Sequence, residues 1–114
     1  MSGDCLFCKI AEGALSTEFL LATDHLVAFR DLHPVAPSHI LVIPKKHISS
    51  LADLEADDQS LMGEMMLAIG QLAEQEGLES GFRVVVNTGP DGGQSVHHLH
   101  FHLLGGRSLT WPPG

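Results

Sequence analysis

Two short apolar runs, EFLLATD (18–24) and LVAFRDL (26–32), meet at Asp24-His25 and predict an antiparallel hairpin. Pro34 and Pro37 interrupt HPVAPSH, after which HILVIP (39–44) reads as a β-rich run stopped by Pro44. From Ser60 to Glu76 the period lengthens. Leu61, Met65, Ile69, Leu72 and Ala73 recur every three or four residues, which predicts an amphipathic helix closed by Gly77. Met62, Met65 and Met66 read as core packing in that helix. FRVVVN (82–87) predicts another strand, TGPDGG (88–93) a glycine-dense loop, and VHHLHFHLLGG (96–106) a last strand ended by Gly105-Gly106. Ahead of all these, LFCKIAEG (6–13) predicts a short helical turn ended by Gly13. The order β, β, β, α, β, β with mostly short connections predicts an α+β fold with an antiparallel sheet. With no repeat or linker, residues 1–114 read as a single domain.

The last strand carries the candidate chemistry. Four of the chain's eight histidines fall between His97 and His102, three of them strictly alternating. On a strand, alternate side chains share a face, so His98, His100 and His102 line one side while Leu99, Phe101 and Leu103 pack the other into the core. His97 falls in phase with Leu99 and out of the site. The spacing sets three imidazoles along about 13 Å of backbone, too spread for all three to meet one ion at ligand distances near 2.1 Å. Neutral imidazoles beside a glycine-rich loop suit phosphate chemistry better, with one attacking phosphorus while a neighbour donates to a phosphoryl oxygen.

Composition narrows the picture. A chain of 114 residues that is 44% apolar can bury one core. Its net charge of −8, with Lys45-Lys46 as the one basic cluster, argues against nucleic acid or an anionic membrane surface as partner. No apolar stretch approaches the roughly 20 residues that span a bilayer, and MSGDCLFCKIAEG lacks the pattern of a secretory signal, so a cytoplasmic protein is expected. Cys5 and Cys8 form C-x-x-C. Two buried thiols, a redox pair, or half of a zinc site that needs two further ligands are the readings this spacing leaves open.

The run HLHFHLL resembles the histidine-triad signature. Its flanks, FRDLHPVAPSHILVIPKKHI, VVNTGPDGGQSVHHLHFHLLGGR and the terminal WPPG, resemble the histidine triad nucleotide-binding (Hint) branch of the HIT family from about Phe7 to Gly114. The resemblance implies a five-stranded antiparallel sheet with one long and one short helix, extended across a homodimer. It also implies hydrolysis of purine nucleoside phosphoramidates, releasing AMP or GMP. His100 would be the nucleophile, with His102 and His39 hydrogen-bonded to the phosphate and Ser95 donating to the leaving nitrogen. Asp31 would accept from the ribose and Leu32 lie against the base, in a pocket lined by Phe7 and Ile10. Asn87, Gly93, Gln94 and Ser95 would hold the phosphate, and Trp111 in the tail would shape leaving-group preference across the dimer. Some members bind zinc through C-x-x-C, which here implies one structural ion per subunit on Cys5, Cys8, His47 and His98, not needed for the chemistry. His98 would then be a ligand or an orienting group. A dinucleoside polyphosphate hydrolase or transferase, and a non-catalytic nucleotide- and zinc-binding module, are the rival expectations.

Overall fold

The computed structural model describes residues 4–114; the first three residues, part of the N-terminal stretch read for a secretory signal, lie outside it. Five strands form one sheet in the order β1-β2-β3-β5-β4: β1 (Leu21–Ala22), β2 (Leu26–Arg30), β3 (Ser38–Pro44), β4 (Phe82–Val85) and β5 (Phe101–Gly105). Every neighbouring pair is antiparallel, with Val27 opposite Ile43, and Leu41 opposite His102. The α+β architecture expected from the sequence is the one observed.

Each face of the sheet carries one helix. On one face Leu26, Ala28, Ile40, Val42, Leu99, Phe101 and Leu103 pack with Met65, Ile69 and Leu72 of the long helix α2 (Gln59–Gln75). On the other face Val27, Phe29, Leu41 and Ile43 meet Phe7, Ile10 and Ala11 of the short helix α1 (Leu6–Ala11). The odd and even positions of β2 and β3 thus feed two cores, which is why these strands are buried almost throughout rather than on one side. Helix α2 ends as expected at Gly77, whose positive φ of 71° lets Leu78 N–H return to Ala73 O. Met65 is fully buried, but Met66 is 45% exposed and faces outward, a correction to its reading as core.

The strands differ from expectation mostly in length. The first covers only Leu21–Ala22, and β4 stops at Val85. The last begins at Phe101 rather than Val96. The ladder between β3 and β5 runs from Ser38 opposite Gly105 to Val42 opposite Phe101, and β3 ends at Pro44, which has no N–H to offer. Beyond Phe101 other bonds replace it: Leu99 N–H donates to Ile48 O at 2.6 Å and the His98 ring to Pro44 O at 2.8 Å. The alternation survives the loss of the ladder, for Leu99 lies in the α2-side core and His98 and His100 lie under Phe7 of α1.

Candidate active site

Helix α1 lies over the histidine-bearing face and covers most of it. Phe7 presents its edge to His100 at 5.1 Å between centroids and to His98 at 6.0 Å. His98, His100 and His39 are buried, His102 is half-buried, and His97 is exposed. The β3–β5 register brings His39 and His102, 63 residues apart in sequence, within hydrogen-bond reach.

The partners of these rings fix where their protons sit. A backbone N–H can only donate, and Val35 N lies 3.1 Å from His39 Nδ1, so that nitrogen accepts and the neutral ring carries its proton on Nε2. His39 Nε2 lies 2.8 Å from His102 Nδ1 and donates to it, which leaves the His102 proton on Nε2. A backbone carbonyl can only accept, and His100 Nδ1 is 2.7 Å from His98 O. His100 therefore holds its proton on Nδ1 and keeps a lone pair on Nε2. By the same reasoning His98 donates through Nε2 to Pro44 O and turns the lone pair of Nδ1 toward Cys5 Sγ and Cys8 Sγ, at 3.3 and 3.4 Å.

Burial disfavours the charged form of two of these rings, His102 and His98. It lowers the pKa of His102 to about 4, helped by the neighbouring His100 and His39 and opposed by the carboxylate of Asp31. Burial likewise lowers that of His98, against the raising effect of its bond to Pro44 O. The site therefore presents a ring with a free lone pair, His100, beside a ring with an N–H to donate, His102, at 5.1 Å between centroids. Such a pair can attack phosphorus with one member and hydrogen-bond a phosphoryl oxygen with the other.

Asp31 sits at the end of β2, with Oδ2 3.4 Å from His39 Nε2 and Oδ1 accepting from His33 N–H at 2.7 Å. Leu32 beside it is 89% exposed, and Phe7 and Ile10 are buried in the α1-side core. In the glycine-dense loop most donors already have partners. Asn87 Nδ2 donates to Gly92 O at 2.7 Å, and Gly93 N–H to Pro90 O. Gln94 gives its own N–H to Gly89 O, accepts Gly89 N–H on Oε1, and donates through Nε2 to Ser49 O and Val96 O. A Cβ on Gly92 would stand 2.3 Å from Thr88 O, so the turn admits no side chain there. Ser95 is exposed and lines a groove of about 620 Å³ that also touches Cys5, His47, Ser49 and His97. A larger groove, about 770 Å³, lies apart from the histidines and is lined by Phe82, Arg83, Arg107 and Trp111; Trp111 is 80% exposed.

Cys5, Cys8, His47 and His98 form a second cluster. Their ligand atoms all lie within 4.8 Å of one another, and Cys8 Sγ is 3.2 Å from His47 Nδ1. Tetrahedral zinc with two sulfurs and two nitrogens sets neighbouring ligand atoms about 3.5 Å apart. The observed sulfur–nitrogen separations of 3.2, 3.3 and 3.4 Å fit that shape, and the soft thiolate and imidazole donors suit the ion. Cys5 Sγ also accepts Cys8 N–H at 3.3 Å, which caps α1 and holds both sulfurs on one side.

Sequence reasoning named the side chains of the site but not the backbone groups that orient them. Val35 N–H, His98 O and Pro44 O leave no mark in residue type, although Pro44 was visible as a strand stop. Arg107, whose head group holds Val35 O, was likewise unmarked.

The HIT domain model matches residues 12–109. A HIT-like protein of Synechococcus elongatus is 52% identical over the full length of both chains. Among solved structures, a HIT family hydrolase from Legionella pneumophila is 48% identical with a TM-score of 0.95, covering 97% of this chain and 100% of its own. A histidine triad nucleotide-binding protein from Candida albicans is 30% identical with a TM-score of 0.80, over 96% of this chain and 83% of its own. On these matches the chain belongs to the HIT domain family.

Proposed function

We propose that the protein hydrolyses purine nucleoside phosphoramidates, releasing AMP or GMP through a nucleotide covalently held on His100. The observation that carries this reading is the 2.7 Å bond from His100 Nδ1 to His98 O, which leaves Nε2 as the nucleophilic atom in a covered site. In the first step Nε2 attacks the α-phosphorus and the phosphorus–nitrogen bond breaks. The electron pair departs with the amine nitrogen, which takes a proton from Ser95 or solvent. In the second step water attacks the same phosphorus, the pair of the bond to His100 returns to Nε2, and the water gives up a proton to Ser95 or solvent. His102, neutral with its proton on Nε2, donates to the phosphoryl oxygens and stabilises the charge that gathers there. His39 holds His102 in that tautomer, and Asp31 serves the ribose. Asn87 and Gly93 shape the loop below the phosphate, with Leu32, Phe7 and Ile10 on the base side. The nucleotide-binding relative from Candida albicans and the hydrolase relative from Legionella support a nucleotide substrate and a hydrolytic outcome.

Cys5, Cys8, His47 and His98 would hold one structural zinc per subunit. Held there, it would brace α1 against the sheet and would supply no chemistry to bond breaking. The site fits a homodimer as well. Among the described residues strand β4 pairs with β5 alone, and it carries Phe82 and Val84, 46% and 39% exposed, beside an open edge that a second copy would cover. Trp111 would then reach the neighbouring site.

The test is AMP release from an adenosine phosphoramidate by the native protein and by His100→Ala. Turnover should fall by at least about 10³-fold in the variant, the scale on which loss of a nucleophile is felt. Equal turnover by both proteins would remove His100 from its role. Cleavage confined to dinucleoside polyphosphates would shift the substrate class.

A further inference from the structure

We propose that Arg107 is a positioning residue, setting the proton position on the His39–His102 pair through the backbone of Val35. Three observations join here. Val35 N–H donates to His39 Nδ1 at 3.1 Å, and no other donor to that nitrogen is present among the described residues. Val35 O accepts twice from one guanidinium, from Arg107 Nε at 3.1 Å and Nη2 at 3.0 Å. His39 Nε2 then lies 2.8 Å from His102 Nδ1.

The N–H and C=O of Val35 lie in successive peptide units joined at its Cα, so a clamp on the C=O aims the N–H through the Val35 torsion angles. This residue lies in the connection between β2 and β3, where Leu32 and Val35 are 89% and 59% exposed and contribute nothing to either core. The hydrogen bonds made by its backbone, to Arg107 and His39, act beside the buried Ala36 that follows it. Arg107 comes within reach because Gly105 and Gly106 lead the chain back over Pro37. A Cβ on Gly106 would stand 2.8 Å from Pro37 Cβ, and its φ is +91°. Gly105 pairs with Ser38, one residue before His39.

The consequence concerns which nitrogen of His39 carries a proton. With Val35 N–H at Nδ1, the proton must sit on Nε2, and His102 must in turn present its own Nε2–H outward. Without that N–H, the other tautomer of His39 becomes accessible. His39 Nε2 would then accept from His102 Nδ1, and His102 would show a lone pair where a phosphoryl oxygen needs a donor. Arg107 lies five residues past His102, on the segment that leads to Trp111. The clamp therefore ties the conformation of the tail to the proton arrangement of the site. This inference rests on the proposed reaction for its effect on rate, but not for its effect on the tautomer.

The experiment is long-range ¹H–¹⁵N correlation of the histidine rings in the native protein, Arg107→Met, Arg107→Lys and Arg83→Met, with steady-state kinetics on an adenosine phosphoramidate. Arg107→Met keeps the apolar stem and removes the fork. It should give His39 a mixed-tautomer spectrum and lower kcat roughly tenfold, the usual cost of removing an orienting partner, with KM little changed. Arg107→Lys, which retains a single donor, should recover part of both. Arg83 holds the tail elsewhere, through Thr110 O at 2.7 Å, so Arg83→Met should leave the His39 spectrum as in the native protein. An unaltered His39 spectrum in Arg107→Met overturns the proposal, as does an equal change in Arg83→Met. Failure of the native protein to turn over would count against the phosphoramidate reading alone, since the spectra require no turnover.

Discussion

His102 shows how one residue carries a structural cost and, in the proposed reaction, a functional gain. Burial between His39 and His100 disfavours its charged form, and the ring keeps a neutral Nε2–H over the whole physiological range. The same burial makes stability depend on pH. Its folded pKa is about 4 and its ordinary value 6.5, so between these limits the unfolded chain binds a proton that the folded one refuses. The stabilisation is therefore complete above pH 6.5 and is lost progressively as pH falls toward 4. Urea unfolding at intervals from pH 7.5 to 4 should show this decline, and His102→Ala should show a shallower one. His98, lowered in the same direction, keeps the variant from becoming flat. At this scale the sequence was legible where side chains do the work. The alternation HLHFHLL sufficed to set three imidazoles against three core residues. It could not show that His39 lies on His102, because that contact depends on strand register across 63 residues.

Elements were legible by period and less so by length. Helix α2 follows its apolar spacing to within a residue, and Gly77 ends it. The strands were overextended, since apolar runs continue past the point where a partner can supply hydrogen bonds. Pro44 marks that point for β3, so His98 and His100 sit on backbone fastened by Ile48 O and Pro44 O instead of by a ladder. This places His100, the proposed nucleophile, on a short irregular segment between a strand and a cluster of cysteines and histidines. Gly105-Gly106 read as a strand end and is also a packing requirement. Gly106→Ala would meet Pro37 and adopt a φ that costs a side chain energy. The loss should be roughly 2 kcal/mol in chemical denaturation, on the scale of a single strained residue. Its site effect should resemble that of Arg107→Met, because both displace the same clamp.

At the scale of the whole molecule, the histidine-bearing face is the proposed binding site and the β4 edge the proposed joint between copies. The α1 side covers the histidines, and Cys5 and Cys8 at the start of α1 contact His98 and His47. The β4 edge, with Phe82 and Val84 exposed, lies at the far end of the strand order from β1. A charge on that edge should prevent pairing with a second copy. Phe82→Glu is expected to run as a monomer in light scattering where the native protein runs as a dimer, with its circular dichroism unchanged. A native monomer would remove the dimer from the account, and with it the proposed reach of Trp111. The homodimer is an expectation carried by family resemblance alone, for an open edge gives no sequence signal distinct from any half-exposed strand.

The central claim is that His100 Nε2 forms a bond to phosphorus, and rapid quenching of the native protein with an adenosine phosphoramidate tests it most directly. Intact mass followed by peptide mapping under alkaline conditions, where phosphorus–imidazole bonds persist, should find one nucleotidyl group on the peptide containing His100. The adduct should decay as AMP appears and be absent in His100→Ala. An adduct mapped to His98, His102 or His39, or AMP released at full rate with no adduct at any quench time, would contradict the account.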